Sequence, residues 1–179
     1  MKRLFLAVDL PERITDTITD TYRAIHGARW MDEEHLHITL QFLGNVSEDR
    51  ETILINALRG VSIAPFALSL KGAGCFPPRK VPRVLWIGID NTEELIRLHK
   101  QTGSSLKTCG FTLEDRRFSP HVTVARLNNA HPEFIGRYLA EHSLFTSDAF
   151  EVNSFHLYSS MPGKNGAHYR KEATFVLSS

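Results

Sequence analysis

The sequence predicts an α+β fold with mostly antiparallel sheets, arranged as two pseudo-twofold-related lobes facing each other across a central cleft. Three observations carry that expectation. Helical and strand-like segments are mixed without the steady βαβ alternation that builds a parallel sheet. One element order occurs twice: helix, His-x-Thr strand, helix, strand, strand. The copies keep a nearly constant offset, 84 residues from His37 to His121, 84 from Phe66 to Phe150 and 83 from Gly27 to Gly110. That period is too long, and two copies too few, for a solenoid. No linker composition separates the copies, so residues 1–179 are expected to form one bilobal domain.

The elements follow from local pattern. RLFLAVDL (3–10) is a short apolar run, as a buried strand requires. Pro11 suits the first turn of a helix, and Ile14, Ile18, Tyr22 and Ile25 recur on one helical face up to a stop at Gly27. HITLQFL (37–43) is the next strand. Ser47 can cap a helix whose first turn holds Glu48, Asp49 and Glu51, running to about Gly60. FALSLKGAG (66–74) and RVLWIGID (83–90) are strands joined by a basic, proline-rich loop. The second copy gives an amphipathic helix over 92–109, a strand over 121–127, a helix over 131–142, and closing strands over 150–160 and 169–178.

Composition narrows the function classes. With 21 basic and 20 acidic residues the net charge is +1, so there is no global field for long nucleic acid, and any phosphate recognition is local. Cys75 and Cys109 fit neither a metal knuckle nor a disulfide framework, which suits a reduced, cytoplasmic setting. Asp9, Glu12 and Arg13 interrupt the N-terminal apolar run too early for a signal peptide. No run of 18 apolar residues is present, so no membrane span is expected.

The chemistry lies in HITL (37–40) and HVTV (121–124), which share one pattern: His, β-branched residue, Thr, aliphatic residue. Residues i and i+2 of a strand share a face, about 7 Å apart. Each motif thus presents an imidazole beside a hydroxyl, while Ile38, Leu40, Val122 and Val124 turn to the core. If the lobes pair symmetrically, the His–Thr pairs point at each other across the cleft. Two opposed histidines suit in-line displacement at phosphorus: one deprotonates the nucleophile, the other protonates the leaving oxygen. Thr39 and Thr123 can donate to the non-bridging oxygens. Nothing in this scheme requires a metal or a cofactor.

With these motifs in hand, the chain resembles the two-histidine phosphoesterase superfamily, and within it the RNA 2′,3′-cyclic phosphodiesterases, also called 2′-5′ RNA ligases. RLFLAVDLP, HITLQFLG, FPPRKVPRVLWIGI, FSPHVTVARL and LYSSMPGKNGAHY fall in the family's order over nearly the whole chain. The second motif ends in Val124 where the family more often has Leu, a conservative change. The resemblance implies opening of a 2′,3′-cyclic phosphate on an RNA end to a 2′-phosphate, with reverse ligation to a 5′-hydroxyl needing no ATP. It implies His37 as proton donor, His121 as proton acceptor, and Thr39 and Thr123 as phosphate contacts. It also makes Arg126 a candidate phosphate or nucleotide contact, since guanidinium binds such oxygens bidentately. Strict alternation would put Arg126 on the face opposite His121, so a cleft role requires the strand to twist or end there.

Other residues keep two readings. Phe42 is either core or a ring that stacks on a base. Trp86 reads as core by alternation. His35 and His37 form an HxH that could bind zinc, but no third ligand is evident, and His35 is expected at the cleft rim on the face of His37. Arg79, Lys80 and Arg83 in one loop, and Lys164, His168, Arg170 and Lys171 around another, are either solvated charge or RNA-backbone contacts. His26, His99, His131, His142 and His156 show no pairing pattern. The expected partners are RNA ends or cyclic nucleotides, bound by a monomer with no membrane. Alternatives are a relative acting on a small cyclic nucleotide such as ADP-ribose 1″,2″-cyclic phosphate, or on 2′-5′ oligoadenylate, and a non-catalytic RNA- or nucleotide-binding module.

Overall fold

A computed structural model describes residues 1–78 and 80–179; Arg79, one of the loop cations named above, lies outside the described residues. Among the described residues the chain forms β1 (Lys2–Asp9), α1 (Glu12–Thr19), β2 (Ala28–Trp30), β3 (His37–Val46), α2 (Glu48–Leu58), β4 (Phe66–Phe76), β5 (Val84–Asp90), α3 (Glu93–Thr108), β6 (His121–Leu127), α4 (Pro132–Glu141), β7 (Phe150–Val152), β8 (Ser154–Met161) and β9 (His168–Val176). The class is α+β, and every strand pairing is antiparallel.

The strands run in the order β7-β4-β5-β6-β3-β1-β8-β9, with β2 on the side of β6. The two His-x-Thr strands, β3 and β6, are therefore central neighbours, joined at Ile38 and Val122. The order also interleaves the chain. β5 from the first half lies beside β6 of the second, and β8 from the second half lies beside β1 of the first. The sheet is thus not divided at the chain's midpoint.

One face of this sheet is covered by the helices. Leu4, Leu6 and Val8 on β1, Ile38 and Leu40 on β3, and Val122 and Val124 on β6 are buried against Ile14 and Ile18 of α1, Leu54 and Leu58 of α2, Leu95, Leu98 and Leu106 of α3, and Ile135 of α4. Full burial of each such aliphatic side chain is worth about 1.5–3 kcal/mol, so this layer fixes which face of β3 and β6 turns outward.

Several elements depart from the periodicity. α1 stops at Thr19, because Tyr22 leaves the helical stripe to donate its hydroxyl to the Met31 carbonyl at 2.8 Å and to stack on Trp30 at 4.4 Å. β2 has three residues, too short to show a period. Ser47 has the extended backbone of an N-cap, yet its hydroxyl makes no cap bond. The strand expected over 150–160 is broken at Asn153 into β7 and β8. No helix among the described residues is long and apolar enough to cross a membrane.

Candidate active site

Ile38 and Val122 are cross-strand partners on adjacent antiparallel strands. Carrying that register one step each way sets His37 opposite Thr123 and Thr39 opposite His121. The expectation that the two pairs face each other across a gap is corrected by this register. They lie side by side on one face, each histidine against the other motif's threonine, with the imidazoles on the diagonal. Strand rise and spacing put those diagonal Cα atoms about 8 Å apart.

Backbone carbonyls orient both rings. His37 donates from Nδ1 to the His35 carbonyl at 2.7 Å, and His121 donates from Nδ1 to the Ser119 carbonyl at 2.7 Å. Each Nδ1 must carry hydrogen, so each Nε2 is the basic nitrogen. The Thr39 hydroxyl donates to Nε2 of His37 at 3.0 Å. Burial lowers the pKa of His37 to about 4, against the weaker opposing pull of the His35 carbonyl and Asp9. Burial also lowers that of His121, and the Arg126 cation acts in the same direction.

The strands do not alternate strictly, which decides where Arg126 and Phe42 stand. Trp86 pairs with Thr123 and Leu85 with Ala125, leaving Val124 as a bulge residue. Val124 and Ala125 are consequently both buried, and the next residue, Arg126, emerges on the side of His121 and Thr123. β3 does the same: Ala7 pairs with Thr39 and Leu6 with Gln41, Leu40 and Gln41 are both buried, and Phe42 emerges 53% exposed. Phe42 is therefore not core, and it is 84 residues before Arg126.

Trp86 is corrected as well. It is only partly buried, on the face of His121, with its ring 6.3 Å from that imidazole and 5.3 Å from Phe76. Phe76 meets His121 edge-on at 5.1 Å. Gly74 makes the slot for the indole, since a Cβ there would fall 2.1 Å from the ring. On the other side, His37 packs 5.2 Å from Phe5 and 5.6 Å from Tyr169. His35 is on a single 3-10 turn over Glu33–His35 rather than on the strand, with its ring against Tyr169 at 4.9 Å. Among the described residues no group of three or more His, Cys, Asp or Glu side chains is placed to hold a metal.

Sequence reasoning missed Asp9 and treated His156 as background. Asp9 is the direct cross-strand partner of His37. It accepts from the Tyr158 hydroxyl at 2.5 Å and from Lys171 at 2.8 Å, and lies 3.3 Å from Nε2 of His156. Burial opposes its charge, but these donors prevail and hold the carboxyl below its ordinary range. Burial and the adjacent carboxylate push the Tyr158 phenol up. The donors of this network come from 149 and 162 residues away, so no local signal could have revealed it. Lys171, one of the loop cations, is committed to Asp9, and Arg170 approaches Glu172 at 4.0 Å; Lys80, Arg83, Lys164 and His168 are exposed.

A model of the 2′-5′ RNA ligase superfamily matches residues 10–163. Two curated relatives carry the name RNA 2′,3′-cyclic phosphodiesterase. That of Archaeoglobus fulgidus is 34% identical over 97% of this chain and 99% of its own, and that of Thermotoga maritima is 32% identical over 94% and 91%. A crystal structure from Thermus thermophilus superposes with a TM-score of 0.83 at 26% identity, covering 98% of this chain and 97% of its own. Escherichia coli LigT complexed with 3′-AMP superposes with a TM-score of 0.79 at 26% identity, covering 99% of both chains.

Proposed function

The chain belongs to the 2′-5′ RNA ligase superfamily, and from that membership we propose that it hydrolyses 2′,3′-cyclic phosphate ends of RNA to 2′-phosphates. The observation that carries the reading is the diagonal pair of imidazoles, each with Nδ1 tied to a carbonyl and Nε2 left basic. We place the cyclic phosphate over the His37–Thr123 and Thr39–His121 square. Nε2 of His121 takes a proton from water as its oxygen bonds to phosphorus. The bond from phosphorus to the 3′ oxygen breaks, and that oxygen takes the proton held on Nε2 of His37. A 2′-phosphate and a 3′-hydroxyl leave, and the two imidazoles exchange their proton with solvent. A 5′-hydroxyl in place of water gives the reverse ligation, with no ATP and no metal.

The charges beside each ring support this direction of proton flow. Burial favours neutral imidazoles, and a phosphate monoanion between them supplies the charge that lets one protonate. Asp9 adds negative charge at His37, whereas Arg126 adds positive charge at His121. Burial lowers His37 strongly and outweighs the Asp9 charge in the free protein, so we take His37 as the acid and His121 as the base from the family resemblance, a direction that the two flanking charges favour. Thr39, no longer needed as a donor to a protonated Nε2, turns its hydroxyl to a phosphate oxygen together with Thr123. Phe42 and Arg126, raised onto this face by equivalent bulges, hold the nucleotide. The interleaved strand order and the constant sequence offset fit an internal duplication, with the two lobes acting as one unit over 1–179. We take the working form to be a cytoplasmic monomer.

The test uses 2′,3′-cyclic AMP and a short RNA ending in a 2′,3′-cyclic phosphate, each incubated with excess chelator and the wild type or the His37→Ala/His121→Ala double variant. A 2′-phosphate from wild type alone is expected, with the RNA turned over faster. A 3′-phosphate would reverse the leaving oxygen. Loss of activity with chelator, restored by zinc, would overturn the metal-free scheme. No turnover of either compound, with binding that survives in the double variant, would make this a binding module.

A further inference from the structure

β6 has two edges, and beyond Val122 one of them passes from β3 to β2. In that register Arg29 is the direct partner of Arg126. Directly opposed residues of an antiparallel pair point to the same side, with Cβ atoms about 4.5–5.5 Å apart, and like charges so placed repel. Arg126 is on the face of His121 because of the bulge at Val124, so Arg29 is on that face too. Both side chains are exposed. Among the described residues neither guanidinium forms an ion pair with a carboxylate, although Arg97, Arg116, Arg137 and Arg170 all do. Two unneutralised guanidiniums held side by side are a site for an anion with several oxygens.

The β8–β9 connection adds a wall. At Gly166, which has φ +125°, a side-chain Cβ would lie 3.3 Å from a guanidinium nitrogen of Arg29. The connection hangs from strands at the far end of the sheet order from β6, yet it reaches the arginine beside that strand. The Arg29 head therefore lies against this turn, while its backbone is paired with that of Arg126.

We infer that Arg29 and Arg126 together form a subsite for a second phosphate group, the 5′ phosphodiester of the nucleotide whose cyclic phosphate lies between His37 and His121. The inference rests on the reaction proposed above. The square between the histidines is level with Val122, and with the bulge Val122 to Arg126 spans three residues of β5, Ile87 to Val84, about 10 Å along the strand. That is the length of one nucleoside, and Arg126 is near enough to act on His121. The pair distinguishes an RNA end, which carries a 5′ phosphodiester, from a nucleoside 2′,3′-cyclic phosphate, which does not. Sequence alone singles out Arg126 but not Arg29, because a three-residue strand gives no pattern by which to pair it.

The experiment is a calorimetric titration of the full chain with adenosine 2′-monophosphate and with adenosine 2′,5′-bisphosphate, for wild type, Arg29→Gln and Arg29→Lys. Wild type is expected to bind the bisphosphate at least tenfold more tightly. Arg29→Gln brings the two affinities together, and Arg29→Lys, which keeps the charge, retains part of the preference. Equal affinities in wild type, a preference that persists in Arg29→Gln, or no binding of either compound at millimolar concentration overturns the subsite. Turnover of 2′,3′-cyclic AMP by wild type is followed separately. Absent turnover with an intact bisphosphate preference sinks the proposed reaction and leaves the subsite. Turnover without the preference does the reverse.

Discussion

Asp9 lies directly across the ladder from His37. On β5, the residue directly across from His121 is Gly88, where a Cβ would come within 2.4 Å of the Lys71 carbonyl oxygen. A carboxylate can therefore stand beside one histidine and has no room beside the other. The sequence motifs are nearly symmetric, but the strands that flank them are not, and in the proposed reaction this asymmetry gives the two histidines different neighbours.

Removing that carboxylate should move one limb of the pH–rate profile. His37 is faced by Asp9, His35, Tyr169 and His121, and Asp9 in turn by Tyr158, Lys171 and His156. Burial dominates and lowers the pKa of His37, while the Asp9 charge raises it. Asp9→Asn deletes the raising contribution, so protonated His37 is lost at lower pH. If His37 is the acid, the alkaline limb of kcat/KM shifts to lower pH. The loss at pH 8 should be on the order of tenfold, a part of the roughly 10²–10⁴ that full removal of a general acid costs. A limb that stays in place, or moves to higher pH, would detach Asp9 from this role.

Phe42 and Arg126 show what could be read in the sequence and what could not. The class and the two His-x-Thr strands were legible because periodicity and identical motifs encode them. Which face Phe42 and Arg126 occupy was not, because a bulge shifts the phase of a strand without leaving any mark in its hydrophobic pattern. Trp86 was misread for a related reason: alternation cannot tell a helix-covered face from one walled by Phe76 and His121. The Asp9 network and the Arg29–Arg126 pair depend on register between distant strands, which a single sequence does not specify.

Exposure makes Phe42 separable from stability. Phe42→Ala removes a ring that is 53% exposed, so the change in unfolding free energy should stay within about 0.5 kcal/mol. Base stacking on an aromatic ring is worth about 1–3 kcal/mol, so KM for the cyclic-phosphate RNA should rise by roughly 5- to 150-fold, with a smaller effect on kcat. A fall of many degrees in Tm with KM unchanged would return Phe42 to a structural role.

The slot at Gly74 should be intolerant of any side chain. Gly74→Ala places a methyl against the Trp86 indole, and that ring is in turn near His121. Overpacking of this kind costs about 1–3 kcal/mol. The urea midpoint should fall, and turnover should fall with it as the indole is pushed toward the imidazole. An unchanged midpoint would show that Trp86 can retreat freely.

Protonation of His37 should couple stability to pH and to the substrate anion. Its folded pKa is about 4, below the ordinary 6.5, so the unfolded chain binds the proton more readily. The stability contributed by the neutral buried ring is fully present above pH 6.5 and is lost as pH falls toward 4. His99, His121 and His156 are lowered in the same sense, so the comparison must be with His37→Gln rather than with a single curve. Thermal unfolding between pH 7 and pH 4.5 should destabilise wild type more than His37→Gln. A phosphate monoester bound between the histidines opposes that trend, because its charge draws a proton onto Nε2. Adenosine 2′-monophosphate should therefore raise Tm more at pH 5.5 than at pH 7 in wild type, with the difference reduced in His37→Gln. Equal pH slopes in the two proteins would mean that His37 is not held neutral by burial.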